Sequence, residues 1–307
     1  MAKTGHNFYA FNHPSFVKWT TEFRDIPNNY YVLDKNLGDY QIPMDIQFDF
    51  VLSQNKFGQF QVLSQLAKKL HLPLVSLEHT LPPSFWQKQV FENAKNMKGD
   101  INLFISEYSC REWGFDLNDN HTQVLHHGID TDKFIDRKEQ RENVLLSIVN
   151  DWVNRDYFCG FKLWQDITKD LPVSVYGDNP GLSRVTTSIE ELVDIHNKAS
   201  IFLNTSLVSP IPMSLLEAAS SGCAIITTAT CMIPDIIEHG KNGLMSNNLS
   251  ELRKYCVQLL NEPEYARELG NNARKTIEER FSLSAFINNW NDVFDRAYGI
   301  IYTGEQK

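Results

Sequence analysis

The sequence predicts an α/β protein made of two parallel-sheet units, and three observations carry that prediction. Short apolar runs such as Leu74-Val75-Ser76-Leu77 and Ala224-Ile225-Ile226-Thr227 alternate with longer stretches whose apolar residues recur at helical spacing, the patterns of buried strands and amphipathic helices. Leu63, Leu66, Ala67 and Leu70 share one helix face, Pro73 breaks that helix, and a strand follows at once, a β-α-β order that implies parallel pairing. The chain has 307 residues, room for two domains of about 150 each. The charged, polar stretch from Asp136 to Glu142 near its middle has the character of a domain boundary. The expected units are residues 1–138 and 139–282, with a last helix, 283–307, returning to the first.

Within the first unit, Asn7 to Phe11 is the first strand. A helix starting at Pro14 or Ser15 would carry Phe16, Trp19, Thr20 and Phe23 on one face. Asn12 and His13 occupy the strand-to-helix loop, the kind of place where open α/β sheets bind ligands, and are candidate acceptor-side residues. A capping Asn and a surface His in a turn are the plainer reading. Phe48 to Leu52 is a strand, and Leu74 to Leu77 the next, with Glu78-His79-Thr80 at its carboxyl end. Gln87 to Lys98 is an amphipathic helix, Ile101 to Ser106 a strand, and Gln123 to Leu125 another.

The second unit opens with the strand Val144 to Ile148. Val173 to Tyr176 is a strand followed by Asp178-Asn179-Pro180-Gly181, a plain turn on local grounds. Ser188-Ile189-Glu190-Glu191 reads as a capping-box helix start, with the helix ending near Ala199. Ile201 to Leu203 is a buried strand. Pro212 suits the opening of a helix from Met213 to Ser221, and Gly222 suits its left-handed end. Ala224 to Thr227, a short helix and a glycine turn follow. Three amphipathic helices close the chain at Leu249–Leu260, Glu264–Arg280 and Leu283–Tyr298.

Composition narrows the function classes. The net charge of −9 argues against a surface that coats nucleic acid, whose affinity comes from neutralising phosphates. No apolar run is long enough to span a bilayer, no secretory h-region is visible near the amino terminus, and a cytoplasmic location is expected. The five cysteines are scattered without a CxxC pair, which fits a reducing compartment rather than a disulfide framework or a zinc site. His126-His127 and Asp130-Thr131-Asp132 suggest metal binding at first sight. Adjacent histidines on a strand point to opposite faces, so no metal is expected there. The absence of a GxGxxG segment disfavours a dinucleotide oxidoreductase.

The stretch Ile201–Met245 gathers the chemistry. A helix start after a strand offers unpaired N–H groups and a positive dipole end to an anion, and Met213 and Ser214 supply N–H groups where Pro210 and Pro212 cannot. Glu217, one turn in, could accept two hydroxyls from a ribose or merely complement the helix dipole. Local pattern alone leaves those two roles even.

Leu216-Glu217-Ala218-Ala219, Gly222, Ile225-Ile226, Pro234-Asp235-Ile236-Ile237 and Gly240-Lys241-Asn242-Gly243 resemble, in order and spacing, the carboxyl-terminal signature of the family-4 retaining glycosyltransferases. The resemblance implies the GT-B fold, with two Rossmann-like domains whose parallel sheets face across a cleft. It makes Glu217 the second motif glutamate, which binds the donor ribose. Position 209, where the family's first glutamate contacts the donor sugar, is Ser209. His79 falls where a family histidine faces the sugar and reacting centre. The family's diphosphate-binding Arg and Lys correspond to Asn150 and Arg155, with Lys162 a possible substitute. Val173 to Pro180 resembles the family's strand and Gly-Asp-Gly-Pro loop, which brings in Asp178. Asn204 and Ser206 are expected to line the diphosphate pocket, and the base to lie near Arg184 to Thr186. Asp130-Thr131-Asp132 matches the family's linker rather than a metal motif.

The expectation is therefore a retaining hexosyl- or pentosyltransferase with no cofactor and no metal, using a nucleotide-sugar donor. The residues do not separate UDP from GDP or ADP; a UDP-sugar is the expectation. The acceptor is a glycan, a lipid-linked sugar or a modified DNA base. The alternative is a nucleotide-sugar-binding protein impaired in catalysis, favoured by Ser209 and Asn150. A GT-B epimerase is a further class, and no pyridoxal-lysine signature supports a phosphorylase.

Overall fold

The structure, a computed structural model, describes residues 1–11, 25–33 and 45–303. Asn12, His13 and the helix expected to carry Phe16, Trp19, Thr20 and Phe23 lie outside the described residues. The chain divides into two compact units, one from Met1 to His126 joined by Phe286 onward, the other from His127 to Ala285.

In the first unit, β1 (Phe8–Phe11) pairs in parallel with β2 (Tyr30–Leu33) as a separate ribbon. The main sheet takes β3 (Val51–Ser53), β4 (Leu74–Glu78), β5 (Ile101–Phe104) and β6 (Thr122–Val124) in sequence order, all parallel. The helices α1 (Gln59–Leu70), α2 (Lys88–Lys95) and α3 (Glu107–Glu112) lie between these strands. β4 and β5 are buried along their whole length, as strands covered on both faces must be. α1 ends before Pro73 acts: His71 takes a left-handed φ of 54° and its N–H donates to Lys68, while Leu72 donates to Ala67, which closes the helix with backbone bonds alone. Pro73 instead lends its carbonyl to Val51 at 2.8 Å.

In the second unit, β7 (Glu142–Ile148), α4 (Asp156–Cys159), α5 (Phe161–Thr168), β8 (Val173–Tyr176), α6 (Ile189–Lys198), β9 (Ala199–Asn204), α7 (Met213–Ser220), β10 (Ala224–Thr227), α8 (Ile233–Ile236) and β11 (Leu244–Met245) follow one another. The parallel sheet has the order β11-β10-β9-β7-β8. α9 (Leu249–Asn261) and α10 (Pro263–Arg280) complete the unit. Its core joins Leu145, Trp152, Trp164, Ile201 and Ile226 to Leu252, Leu259 and Leu269.

α7 ends at Gly222, whose φ is 83°, with Gly222 and Cys223 donating back to Ala219 and Ala218. The last helix, α11 (Leu283–Thr303), sets Trp290, Val293, Phe294 and Ala297 against Val75, Leu77 and Leu103 of the first unit's core.

The amino-terminal edge of the second sheet is tied by Arg141. Its guanidinium donates to the carbonyls of His196 (2.9 Å), Ala199 (2.8 Å) and Ser221, and to the Asp136 carboxylate at 3.0 Å. His196 is fully buried beside Phe134 and Phe202. Burial, with the Arg141 charge added, pushes its imidazole down to about 3. The folded state therefore refuses a proton that the unfolded chain accepts below about 6.5. Stability is expected to fall as pH drops from 6.5 toward 3, by up to about 1.4 kcal/mol per pH unit from this group. His196→Leu is expected to flatten that slope in urea unfolding series taken across the same window. An unchanged slope would contradict the assignment.

Candidate functional site

The strand order of the second, all-parallel sheet reverses between β7 and β9. β8 lies on one side of β7, and the chain returns through α6 to place β9 on the other. The carboxyl ends of β7 and β9 thus flank a topological switch point, where open α/β sheets bind ligands. Asn150, Arg155, Asp178, Asn204, Ser206, Ser209, Met213, Ser214 and Glu217 all lie on the loops and helix that leave this edge.

Two bonded seams shape the edge. Asn150 Oδ1 accepts the Asp178 N–H at 2.9 Å, and the Asp178 carbonyl accepts the Asp151 N–H at 2.8 Å. Asn179, nearly fully buried, locks the same two loops together. Its Oδ1 accepts from Trp152 N at 2.7 Å, and its Nδ2 donates to the Val149 carbonyl at 2.7 Å and to Ser183 Oγ at 2.8 Å.

The other seam joins α4 to the loop after β9. Leu207 and Val208 both donate to the Phe158 carbonyl, and Thr205 Oγ1 donates to the Cys159 carbonyl at 3.1 Å. Gly160, at φ 63°, lets the two segments touch: a Cβ there would stand 2.2 Å from the Thr205 oxygen. Gly160→Ala is expected to cost about 1–3 kcal/mol, read as a lowered melting temperature of the full chain. A melting curve superimposable on wild type would show that the contact is slack.

These seams fix where each expected residue stands. Arg155 caps the start of α4, is exposed, and leans on the Asn150 carbonyl through a 3.3 Å contact. Its fork faces the same edge, where it suits an oxyanion. Lys162, on α5, is exposed and stands 3.8 Å from Asp166, one turn along its own helix. Asn150 is absorbed into the loop lock. Asn204 and Ser206 are buried and bonded to each other: Ser206 Oγ donates to Asn204 Oδ1 at 2.8 Å, and Asn204 Nδ2 donates to Thr227 Oγ1 at 2.8 Å. They hold the floor of the edge, and Thr228 and Thr230 extend it by donating their hydroxyls to the Ser206 carbonyl. α7 starts at Pro212 with no side-chain cap; Met213 is exposed, and Ser214, Glu217 and Ser209 are half-buried. The helix start faces outward with its dipole uncapped by any side chain, an arrangement that favours an anion.

The loop after β8 carries a further cluster. Ser188 caps α6 by accepting the Glu191 N–H at 3.1 Å. The Glu191 carboxylate does not return to Ser188, as a capping box requires. It binds Thr187 N (2.6 Å), Thr187 Oγ1 (2.8 Å) and Arg184. The Arg184 guanidinium beside it, then the Thr187 bonds, pull that carboxyl down to about 2. Arg184 also lies over the Tyr176 ring, 5.6 Å from its centroid.

In the first unit, His79 leaves the carboxyl end of β4, where burial lowers its imidazole and keeps it neutral at neutral pH. Next to it, the fully buried Glu78 carboxylate accepts Lys56 N at 2.9 Å, Thr80 N at 2.9 Å and Thr80 Oγ1 at 2.7 Å. Lys56 is buried too, its ammonium donating to the Met97 carbonyl and lying 5.0 Å from the Phe115 ring centroid and 5.8 Å from that of Trp113. Sequence reasoning missed Asn179, Gly160, Thr228 and Lys56. A glycine between Cys159 and Phe161 is the only local hint among them, since a polar residue in a turn or loop does not announce its burial. Among the described residues no group of three or more His, Cys, Asp or Glu side chains is placed to hold a metal ion, and no helix is long and apolar enough to cross a membrane.

Comparison with known proteins falls on the same edge. Residues 183–276, which include α6 to most of α10 and the Glu217 helix, match the family model for glycosyl transferases group 1. The fold is GT-B. Among solved structures, sucrose-phosphate synthase from Thermosynechococcus elongatus superposes with a TM-score of 0.74 at 14% identity, covering 97% of this chain and 90% of that one. Anabaena HepE, solved in complex with UDP-glucose, gives a TM-score of 0.68 at 14% identity, covering 81% of this chain and 79% of its own. The poly(ribitol-phosphate) alpha-N-acetylglucosaminyltransferase of Staphylococcus aureus is 24% identical over 165 residues, which are 51% of this chain. The chain spans only 33% of the length of that staphylococcal relative.

Proposed function

We propose that this chain is a glycosyltransferase that moves a sugar from a nucleotide-diphosphate sugar, a UDP-sugar being the expected donor, to a hydroxyl acceptor with retention at the anomeric carbon. The observation that carries the reading is the coincidence of the matched glycosyl transferases group 1 segment with the switch-point edge of the second sheet. The start of α7 and the Arg155 guanidinium would take the diphosphate, and Glu217 the ribose hydroxyls. As the sugar–phosphate bond breaks, negative charge grows on the departing diphosphate. Donors already aimed at that position lower the barrier without reorganising. The protein side of this chemistry needs no metal, because the α7 amides and Arg155 can meet the charge. Ser209 has no carboxylate to act as a covalent nucleophile, so same-face transfer without a glycosyl-enzyme intermediate is the simpler route. Neutral His79 would then serve as a hydrogen-bonding group to the transferred sugar. Its lowered imidazole predicts no loss of that role above pH 6.5.

A binding-only protein is the second reading, favoured by one feature: Asn150 spends its side-chain oxygen on Asp178 and brings no positive charge to the diphosphate. A thermal-shift and hydrolysis panel of UDP-, GDP- and ADP-sugars separates the readings, with Glu217→Ala alongside. One nucleotide class is expected to raise the melting temperature of the wild type, to lose that effect in the variant, and to be hydrolysed slowly. Stabilisation without turnover, repeated with candidate acceptors, would favour binding alone. No stabilisation by any of them would sink the donor site.

A further inference from the structure

His79 lies between two residues that are held from several sides. Before it stands Glu78, the last residue of β4, only 1% exposed. Its carboxylate accepts Thr80 N at 2.9 Å, Thr80 Oγ1 at 2.7 Å and Lys56 N at 2.9 Å. After His79, the Thr80 carbonyl accepts from Trp113 Nε1 at 2.9 Å. The N–H, the hydroxyl and the carbonyl of Thr80 therefore each have a protein partner, although Thr80 itself is exposed. The partners are firmly seated. Trp113 closes α3, is fully buried and stacks on Phe91, with 6.2 Å between ring centroids and 15° between planes. Lys56, in the loop after β3, is buried as well.

We infer that Glu78, Thr80 and Trp113 are positioning residues, a clamp that holds the His79 imidazole in one setting for the transferred sugar. Two features choose positioning over stability alone. A turn at the surface can satisfy its N–H groups with water, whereas burying a carboxylate to do so is costly. The costly solution is used here, at the one turn that carries His79. The clamp also draws together the loop after β3, the end of β4 and the end of the helix that follows β5, and all of its bonds converge on the residues flanking His79. The pairing of Glu78 with Phe104 fixes the backbone before His79, and the bonds to Thr80 fix it after. Which rotamers a side chain can take depends on its own backbone angles, so fixing both neighbours narrows the settings open to the ring. A group set in place before its ligand arrives loses less freedom on binding and meets the reacting centre in the required geometry. The clamp deepens the glycosyltransferase reading, on which it rests for His79's part in the reaction.

Thr80→Val removes the hydroxyl arm of the clamp, Trp113→Phe removes the arm to the carbonyl, and Thr80→Ser keeps the hydroxyl. Each is made in the full chain with its histidine rings labelled with carbon-13, and His79→Gln identifies the His79 signal among the nine histidines in proton–carbon NMR spectra. Turnover of whichever of UDP-, GDP- and ADP-glucose stabilises the wild type is followed as released nucleotide. The His79 ring signal is expected to shift and broaden in Thr80→Val and Trp113→Phe and to return to its wild-type position in Thr80→Ser. Turnover number is expected to fall roughly ten- to a hundredfold in the first two with KM within about twofold, while the melting curve of Thr80→Val stays that of the wild type. A ring signal unmoved in both variants would overturn the clamp, as would a displaced ring with wild-type turnover. Wild-type turnover in His79→Gln would remove His79 from the reaction and overturn its positioning too, while unchanged nucleotide stabilisation in that variant would leave the donor site standing. Conversely, no stabilisation by any nucleotide would sink the donor site, and the ring signal would still decide the clamp.

Discussion

Glu78→Ala is expected to destabilise the first unit by about 3–5 kcal/mol, the range for removing one member of a buried charged set. The carboxylate has three donors, Lys56 N, Thr80 N and Thr80 Oγ1. Removing it leaves the buried Lys56 N–H without an acceptor, frees the part-buried Thr80 N–H, and strands the Lys56 ammonium among Phe60, Trp113 and Phe115. Burial pushes the Lys56 amine down to about 8, against the upward pull of Glu78. That shift has a sign in pH. Between about 8 and 10.5 the unfolded chain binds a proton that the folded chain has shed, so stability is expected to rise through that window. Burial raises the Glu78 carboxyl, so its own contribution runs the other way: stability falls as pH rises from 4.5 through the raised value. Lys56→Met removes the buried cation and is expected to abolish the rise above pH 8. Because the two side chains share one site, the double variant Lys56→Met/Glu78→Ala should cost less than the sum of the singles. Urea unfolding of the full chain at several pH values measures all three. Additive losses would mean the two charges do not feel each other, and a flat wild-type profile above pH 8 would contradict the lowered Lys56 amine.

Arg155→Ala is expected to lower turnover by roughly 10²–10³-fold, the usual cost of removing one preorganised donor to a developing oxyanion. The structure gives this guanidinium little else to do. It is exposed, and its contact to the Asn150 carbonyl is 3.3 Å long, so its loss should hardly change the melting temperature of the free protein. Arg155→Lys restores charge but not the planar fork and should recover part of the rate. Turnover of the stabilising nucleotide-sugar, measured as released nucleotide, checks the order wild type, Lys, Ala. A rate in Arg155→Ala within twofold of wild type, by contrast, would move the diphosphate away from α4, with Lys162 the next cation along.

Much of the second unit was legible because its central strands β9 and β10 are short and buried on both faces. Ala224–Thr227 coincides with β10, and Pro212 and Gly222 bracket α7 by their own backbone limits. The first unit was harder to read at its margins. β3 is shifted toward Ser53 relative to the expected Phe48–Leu52 run, since an aromatic-rich run also packs as irregular chain. β2 at Tyr30–Leu33 escaped notice because its partner β1 lies far away in sequence, and parallel pairing leaves no local hairpin signal. α1 ends on a left-handed histidine rather than on the proline two residues later, a conformation that His71 only weakly advertises. In the site, the motif resemblance identified which loops meet at the switch point. It could not say that Asn150 and Asn204 have their side chains committed to neighbouring loops, because a hydrogen bond between residues 150 and 178, or 204 and 227, has no trace in residue spacing. Lys56 was invisible for a related reason: lysine is almost never fully buried unless something compensates its charge, and the compensation comes from β4.

The central claim is that the carboxyl edge of the second sheet holds a nucleoside diphosphate. Hydrogen–deuterium exchange of the full chain with and without UDP tests it most directly. Slowed exchange is predicted in peptides spanning 149–162, 177–187 and 204–218, the loops leaving β7, β8 and β9, and that protection should vanish in Glu217→Ala. Protection confined to the opposite edge, around Arg141, His196 and Ser221, or no change at saturating UDP and GDP alike, would contradict the account.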